Sequence, residues 1–404
     1  MSEDLQMNPS SSHSTHSRSC SLTVLDESIP GIEFDEEGVS NFVRQAQWRL
    51  QNEVFRGDLG RRRLEEWIQK IKSDGHGRQY DCIIGLSGGV DSSYVAIKVI
   101  EHGLRPLAIH LDNGWNNEVA VGNIERIIRK LNIDLYTHVV DWAEIRDLQR
   151  SYIKASLLDL ECVSDHAINT ILFGLARKFG IRHVIHGGNV ATESILPRAW
   201  GYDKRDGVNV RAVHRRFGTV PLKTYPSMSP VQLFYYLFVR KISAFPILNY
   251  LDFNKTEAVE ELKNQLGWVP YPRKHGENRF TRFFQELYLP RKFGIDKRRA
   301  HLSSLIVAGE ITREDAILEL EKPLYSPDDE SDEIEFVAKK LKFSTAELVE
   351  LIDAPPRRHQ DYPNVAWMFN QSSGFVQIAR YVAKGEFRFN RLREIWSAGK
   401  RAKA

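Results

Sequence analysis

The sequence predicts an α/β fold, a doubly wound parallel sheet with a small N-terminal segment and a mainly helical C-terminal region. Three observations carry this. Cys82-Ile83-Ile84-Gly85-Leu86 is a short apolar run of the kind that forms a strand buried on both faces. It passes through Ser87-Gly88-Gly89-Val90-Asp91-Ser92-Ser93 into Tyr94-Val95-Ala96-Ile97-Lys98-Val99-Ile100, which reads as a helix. Further apolar runs at 107–111, 135–140 and 181–186 alternate with helical stretches, as βαβ units require.

Strand, glycine turn and helix together make a phosphate site. Gly88 and Gly89 let backbone N–H groups approach an anion, Ser87, Ser92 and Ser93 add hydroxyl donors, and the helix N-terminus adds partial positive charge. No Gly-Lys-Ser/Thr closes the loop, so it is not a Walker A motif.

A chain of 404 residues can hold two or three domains, and the expected division is 1–19 as a disordered tail, 20–75 as a small N-terminal domain, 76–248 as the phosphate-loop domain and 249–404 as a helical region. A net charge of +3 declares no nucleic-acid footprint. Three cysteines, Cys20, Cys82 and Cys162, lie too far apart for a disulfide framework or a self-contained four-cysteine metal site. The longest apolar run, residues 231–239, is too short to span a bilayer, and no signal peptide opens the chain, so a cytoplasmic protein without membrane insertion is expected.

The Ser- and His-rich residues before Cys20 have too little apolar content to repay ordering. Ile32 and Phe34, followed by a turn at Glu37-Gly38, suggest a small strand and hairpin, packed through Ile32, Phe34 and Val39. Residues 42–72 read as one or two amphipathic helices with Leu64, Trp67, Ile68 and Ile71 on the apolar face. Ligands of a doubly wound sheet lie beyond the carboxyl ends of its strands, which places His110, Asp112, Asn113 and Trp115 beside a nucleotide.

Helices are expected at 122–131 and 145–160, and again up to Phe179. In Glu161-Cys162-Val163-Ser164-Asp165-His166 a nucleophile or metal set lacks its remaining partners, and capping by Ser164 or Asp165 explains part of the pattern. Past the 181–186 strand, Gly187-Gly188-Asn189-Val190-Ala191-Thr192-Glu193 offers a carboxylate four residues after an asparagine. This suits magnesium between phosphate oxygens, with Asp91 and Glu193 as ligands and Gly188 and Asn189 on nucleotide or substrate; a plain N-cap is the competing reading for Asn189. Residues 198–216 are basic and lack periodicity, so Arg211, Arg215 and Arg216 are either anion contacts or a solvated loop. Helices capped by Asn254, Thr312 and Ser344 follow, with residues 326–333 as an acidic connector and a tail beyond Pro355-Pro356.

Ser-Gly-Gly-x-Asp-Ser resembles the signature of the ATP pyrophosphatases, or PP-loop enzymes. Asp112-Asn113-Gly114-Trp115-Asn116, the Gly-x-Asn-x-x-x-Glu string ending at Glu193, Lys274-His275-Gly276-Glu277 and Phe293-Gly294-Ile295-Asp296-Lys297-Arg298 are together similar to the N-acetyl sugar amidotransferases within that superfamily, over residues 20–362. The resemblance implies ATP and Mg²⁺, with Asp91, Glu193 and Lys274 as catalytic groups. It also implies four N-terminal zinc cysteines. Their positions here hold Cys20, Thr23, Ser40 and Val43, and one thiol cannot make a structural zinc site, so no zinc is expected.

The chemistry implied is adenylation of the acetamido oxygen of a nucleotide-linked sugar, attack by ammonia, and release of AMP to leave an acetamidino group, in surface-polysaccharide (O-antigen) synthesis. No cysteine stands on a nucleophile elbow, so a separate glutaminase subunit is expected to supply the ammonia. Two alternatives stay open. One is a tRNA-modifying PP-loop ATPase, disfavoured by the modest charge and scattered thiols; the other is a non-catalytic nucleotide-binding homologue.

Overall fold

The computed structural model describes residues 18–271 and 277–369. Its N-terminal segment leads into α1 (Asn41–Glu53) and α2 (Gly57–Asp74). The wound region follows as β1 (Cys82–Gly85), α3 (Val90–Glu101), β2 (Pro106–Asp112), α4 (Glu118–Leu131), β3 (Asp134–Val139), α5 (Trp142–Lys154), α6 (Cys162–Phe179), β4 (His183–His186), α7 (Val190–Glu193), α8 (Gly207–Phe217), α9 (Pro230–Phe234) and β5 (Ser243–Pro246). The C-terminal helices are α10 (Lys255–Leu266), α11 (Arg279–Phe283), α12 (Leu289–Phe293), α13 (Arg298–Ala308), α14 (Arg313–Glu321), α15 (Pro327–Leu341) and α16 (Thr345–Asp353).

The five strands form one sheet in the order β3-β2-β1-β4-β5, every neighbouring pair parallel, which is the doubly wound sheet expected. Central β1 pairs Ile84 with Ala108 of β2 on one side and with Ile185 of β4 on the other. Alternate strand residues feed two cores. Cys82, Ile84, Ile185 and Phe245 face one layer with Leu64, Ile68 and Ile71 of α2, Val95 and Val99 of α3, and Leu262 of α10. Ile83, Leu107 and Ile109 face the other, with Ile145 and Leu148 of α5 and Val163, Ala167 and Leu175 of α6. Trp67 of α2 stacks on Phe245 at 4.7 Å, so α2 packs on the sheet.

Ahead of α1, the expected hairpin reduces to single antiparallel bridges, Ser19 with Asp26 and Phe34 with Ser40. The turn sits where expected, with Gly38 at φ +75° and Asp35 accepting from the N–H groups of Glu37 and Val39. Val39 is buried, with Ile32 and Phe34 packed against the same core. The positions Cys20, Thr23, Ser40 and Val43 come together and are all fully or almost fully buried. Ser40 N–H points at the Cys20 sulfur at 3.4 Å, and the Ser40 hydroxyl caps α1 by accepting from Val43 N–H. Burial pushes the Cys20 thiol up, but the Thr23 hydroxyl and neighbouring backbone N–H groups outweigh it and bring its pKa below the ordinary value.

Several sequence expectations are corrected. Residues 198–216 are not a featureless loop, because Val210, Val213 and Phe217 lie at helical spacing and Asp206 caps α8 through Asn209 N–H. The acidic stretch 326–333 is no connector but the start of α15: Ser326 caps it, Pro327 fits the first turn, and Asp328, Asp329 and Glu330 complement the helix dipole. Neither Ser164 nor Asp165 caps α6, whose N-cap is Glu161 without a side-chain bond. The apolar run 231–239 is helical, continuing α9 as a π-turn, and β5 beyond it is an edge strand that no pattern announced. Trp115 turns inward, into an aromatic cluster. It is 2% exposed among Trp142, Phe280 and Phe336, and its indole N–H donates to Gln149. Beyond Pro355-Pro356 the chain docks through the Tyr362 hydroxyl on the Ala155 carbonyl, at 3.1 Å. Among the described residues no helix is long and apolar enough to cross a membrane.

Candidate functional site

The sheet reverses its winding between β1 and β4, and the loops leaving the carboxyl ends of these two strands face each other there. The first loop is Ser87 to Ser93. Gly88 takes φ +81°, and a Cβ on it would lie 2.7 Å from the Ala120 carbonyl, so glycine is required for both conformation and space. Ser87 Oγ accepts from Gly89 N–H at 3.3 Å and lies 3.0 Å from Ser92 Oγ, and Ser87 N–H also points at Ser92 Oγ. Ser93 is fully buried, its hydroxyl donating to the Gly89 carbonyl at 2.6 Å, so it braces the loop from within. Val90 and Asp91 open α3, whose N-terminus points into the loop.

The second loop begins at Gly187. A Cβ there would come within 2.9 Å of Asp91, and one on Gly188 would lie 3.8 Å from Glu193 Oε2. Asp91 and Glu193 therefore flank one glycine turn. Asn189 is buried and caps α7, its Oδ1 accepting from Thr192 N–H at 2.9 Å, so its side chain serves the turn that presents Glu193. No group of three or more metal-ligating side chains occurs among the described residues. Two carboxylates at a phosphate loop nonetheless suit magnesium, which characteristically takes one or two carboxylates and completes its shell with phosphate oxygens and water.

Beyond β2, His110 is fixed by two bonds, Nδ1 to the Leu86 carbonyl at 3.0 Å and Nε2 with Asn116 Nδ2 at 3.1 Å. Asp112 Oδ1 accepts from Gly114 N–H and shapes the strand-end turn. Asn113 is buried, donating to Ser164 Oγ at 3.2 Å and accepting from Asn278 Nδ2 at 3.3 Å. Lys274 lies outside the described residues. Arg211 is held on Ser227 Oγ at 2.7 Å, and Arg216 stacks over Phe217 and Tyr362, which gives both structural engagements on α8.

Sequence reasoning missed the groups that aim these loops. The Trp268 indole N–H and the Tyr271 hydroxyl both donate to the Gly88 carbonyl at 2.9 Å. Asn123 ties this segment to α4, bonding the Val269 backbone in both directions. Asn249 Oδ1 accepts from Val190 N–H, and His186 Nδ1 accepts from Gly188 N–H while burial lowers the His186 pKa. Behind α7 stands α13, with His301 Nδ1 against the Thr192 carbonyl and Ser304 Oγ accepting from Ile195 N–H. Only the residue types at the strand ends, a histidine before Gly-Gly and an aromatic cluster at 268–271, could have signalled them.

Residues 277–373 match the family described as the C-terminal domain of WbpG-like LPS biosynthesis proteins. The match covers the stretch that carries Phe293-Gly294-Ile295-Asp296-Lys297-Arg298 and bears out the family resemblance read from the sequence. None of the curated proteins compared with the chain matches it. Among solved structures, NMN synthetase from Francisella tularensis is similar at 16% identity over 69% of this chain and 93% of that one, with a TM-score of 0.30. An NH3-dependent NAD synthetase from Campylobacter jejuni subsp. jejuni is similar at 18% identity over 53% of this chain and 99% of that one, with a TM-score of 0.27.

Proposed function

We propose that this protein is an ATP-dependent amidotransferase acting on the N-acetyl group of a nucleotide-linked sugar in lipopolysaccharide synthesis. The observation that carries the reading is the apposition of two strand-end loops, one a serine-glycine phosphate cradle at a helix N-terminus and the other a Gly187-Gly188 turn with Asp91 against its first glycine and Glu193 near its second. The WbpG-like C-terminal match supports the biosynthetic setting.

In this reading the loop N–H groups and the hydroxyls of Ser87 and Ser92 hold the β,γ-phosphates of ATP, while Ser93 keeps the loop in shape. Asp91 and Glu193 would hold magnesium, which when bound would neutralise phosphate charge and make pyrophosphate a better leaving group. His110, fixed from both ring nitrogens, and the Asn113–Asn278 pair line the β2 side, where the nucleoside sits. The acetamido oxygen attacks the α-phosphorus and pyrophosphate leaves. Ammonia then adds to the activated carbon, a proton is lost and AMP departs, leaving the acetamidino product. A separate glutaminase supplies the ammonia.

Pyrophosphate release from ATP tests this, assayed with an N-acetylated nucleotide-sugar and ammonium in one arm and with unmodified tRNA in another. The expected result is release only with the sugar, with the product lighter by one mass unit as N–H replaces oxygen. Release only with tRNA, or no release with either, overturns the proposal.

A further inference from the structure

A cleft of about 460 Å³ lies on the α6 face of the sheet, between that helix and the edge formed by β4 and β5. Its size falls in the range of small-molecule sites, about 300–1,000 Å³. Leu172, Phe173, Val184, Leu237 and Ile242 form apolar walls, and the Phe173 ring is stiffened by stacking on Tyr236 at 5.5 Å with 4° between planes. Asn169, Ser243 and the Tyr202–Arg205 segment provide a polar rim.

The rim contains two cations, and both are matched by carboxylates. Lys204 Nζ bonds both oxygens of buried Asp159 at 2.6 and 2.7 Å and reaches Asp165 at 3.3 Å. Arg205 grips Asp203 through Nε at 2.8 Å and Nη2 at 2.5 Å. A phosphate entering here would have to break these pairs and approach the carboxylates of Asp159, Asp165 and Asp203, so the cleft disfavours an anion. Apolar walls with a neutralised hydrogen-bonding rim suit a ring with one C–H face and hydroxyl or amide groups at its edge.

The cleft shares β4 with the second loop and α6 with Ser164. Val184 forms its wall on β4, and Gly187, packed on Asp91, is three residues further along the same chain, roughly 10 Å at the rise of a strand. On the other side, Asn169 lies on α6 little more than a turn below Ser164, which accepts the bond from Asn113 at the end of β2.

We infer that this cleft seats the uncharged, acetamido-bearing pyranose ring of the acceptor, with its diphosphate and nucleoside remaining outside. The inference rests on the amidotransferase reading and names where the acceptor is recognised.

The test is direct binding to the full chain, by saturation-transfer NMR and calorimetry, of methyl N-acetylglucosaminide as the neutral probe and inorganic pyrophosphate as the anionic one. Ala244 lines the cleft from the exposed side of β5, so Ala244→Trp fills it with little disturbance to the core, and Asn169→Leu removes a rim amide. Each is expected to weaken the glycoside at least tenfold while ATP binding is retained. Should Ala244→Trp lose ATP binding through misfolding, Asn169→Leu decides alone. Failure of the unmodified protein to bind the glycoside, retention of its affinity in the folded variants, or loss of pyrophosphate binding on filling the cleft would each overturn the inference. Glycoside binding lost in the variants, with no pyrophosphate ever released from ATP, would uphold the cleft and refute the amidotransferase reading.

Discussion

The indole N–H of Trp268 donates to the Gly88 carbonyl at 2.9 Å, across 180 residues of chain, so the phosphate loop is aimed by the segment that follows α10. Tyr271 adds a second donor to the same oxygen. Trp268→Phe keeps the buried ring and removes the donor, a change of about 1 kcal/mol. We expect a several-fold rise in the ATP concentration giving half-maximal pyrophosphate release, and more than the sum of the single effects when Tyr271→Phe is added. Steady-state kinetics on both single variants and the double variant check this.

Asp91→Asn and Glu193→Gln are each expected to abolish pyrophosphate release while leaving the thermal unfolding curve near that of the unmodified protein. Both side chains flank Gly187-Gly188, and in the proposed reading removing one charge halves the carboxylate set that positions magnesium on the phosphates. Retained turnover would remove the residue concerned from the metal site.

Gly88→Ala meets two obstacles at once, a left-handed φ of +81° and a Cβ 2.7 Å from the Ala120 carbonyl. The strain is about 1–2 kcal/mol from backbone conformation alone. Calorimetry should show ATP binding lost with the fold retained, since the loop can relax only by abandoning its geometry.

Asp74 ends α2 and joins it to β4. Its carboxyl is brought down to about 2, chiefly by the Lys70 hydrogen bond, against an opposing effect of burial and with help from His183. A carboxyl lowered on folding contributes stability above its unfolded value of 3.8, and that contribution fades as pH falls from there through about 2. Asp74→Asn should therefore cost about 2 kcal/mol at neutral pH, with the gap between variant and unmodified protein closing below pH ~4. Denaturant unfolding at a series of pH values reads this directly.

Arg279 grips the almost fully buried Glu333 with Nε and Nη2 and lies 3.5 Å above the Phe336 ring. Arg279→Ala strands that carboxylate and should destabilise by about 3 kcal/mol. Arg279→Lys should restore only part, because an ammonium cannot reproduce the two-pronged contact. Chemical denaturation of the two variants measures the difference.

The parts of the site that were legible in the sequence are those built by neighbours in the chain. Ser87 to Ser93 reads as a phosphate cradle because strand, glycine turn and helix follow one another without interruption, and β1 to β4 announce themselves as apolar runs. Asn189 through Glu193 is local in the same way. The short edge strand β5 escaped because four residues, Ser243-Ala244-Phe245-Pro246, carry no alternation long enough to register. Helix α8 escaped because its charges masked the spacing of Val210, Val213 and Phe217.

Local chemistry, then, is what the sequence by itself determined: the parallel sheet, the phosphate loop and the carboxylates able to attend it. What only the tertiary structure decided is how these face one another. Trp115, which lies in a motif at the strand end, turns inward to a buried aromatic cluster, while Trp268 and Tyr271 come from a distant stretch to hold Gly88. Thr23, Ser40 and Val43 gather around Cys20 because the N-terminal segment folds back on itself, and that segment is then pinned to the C-terminal helices by Arg299 and Arg313 on the Val24 and Thr23 carbonyls. Such contacts depend on which surfaces meet when the chain closes, and side-chain spacing along the sequence records only the surface each element offers.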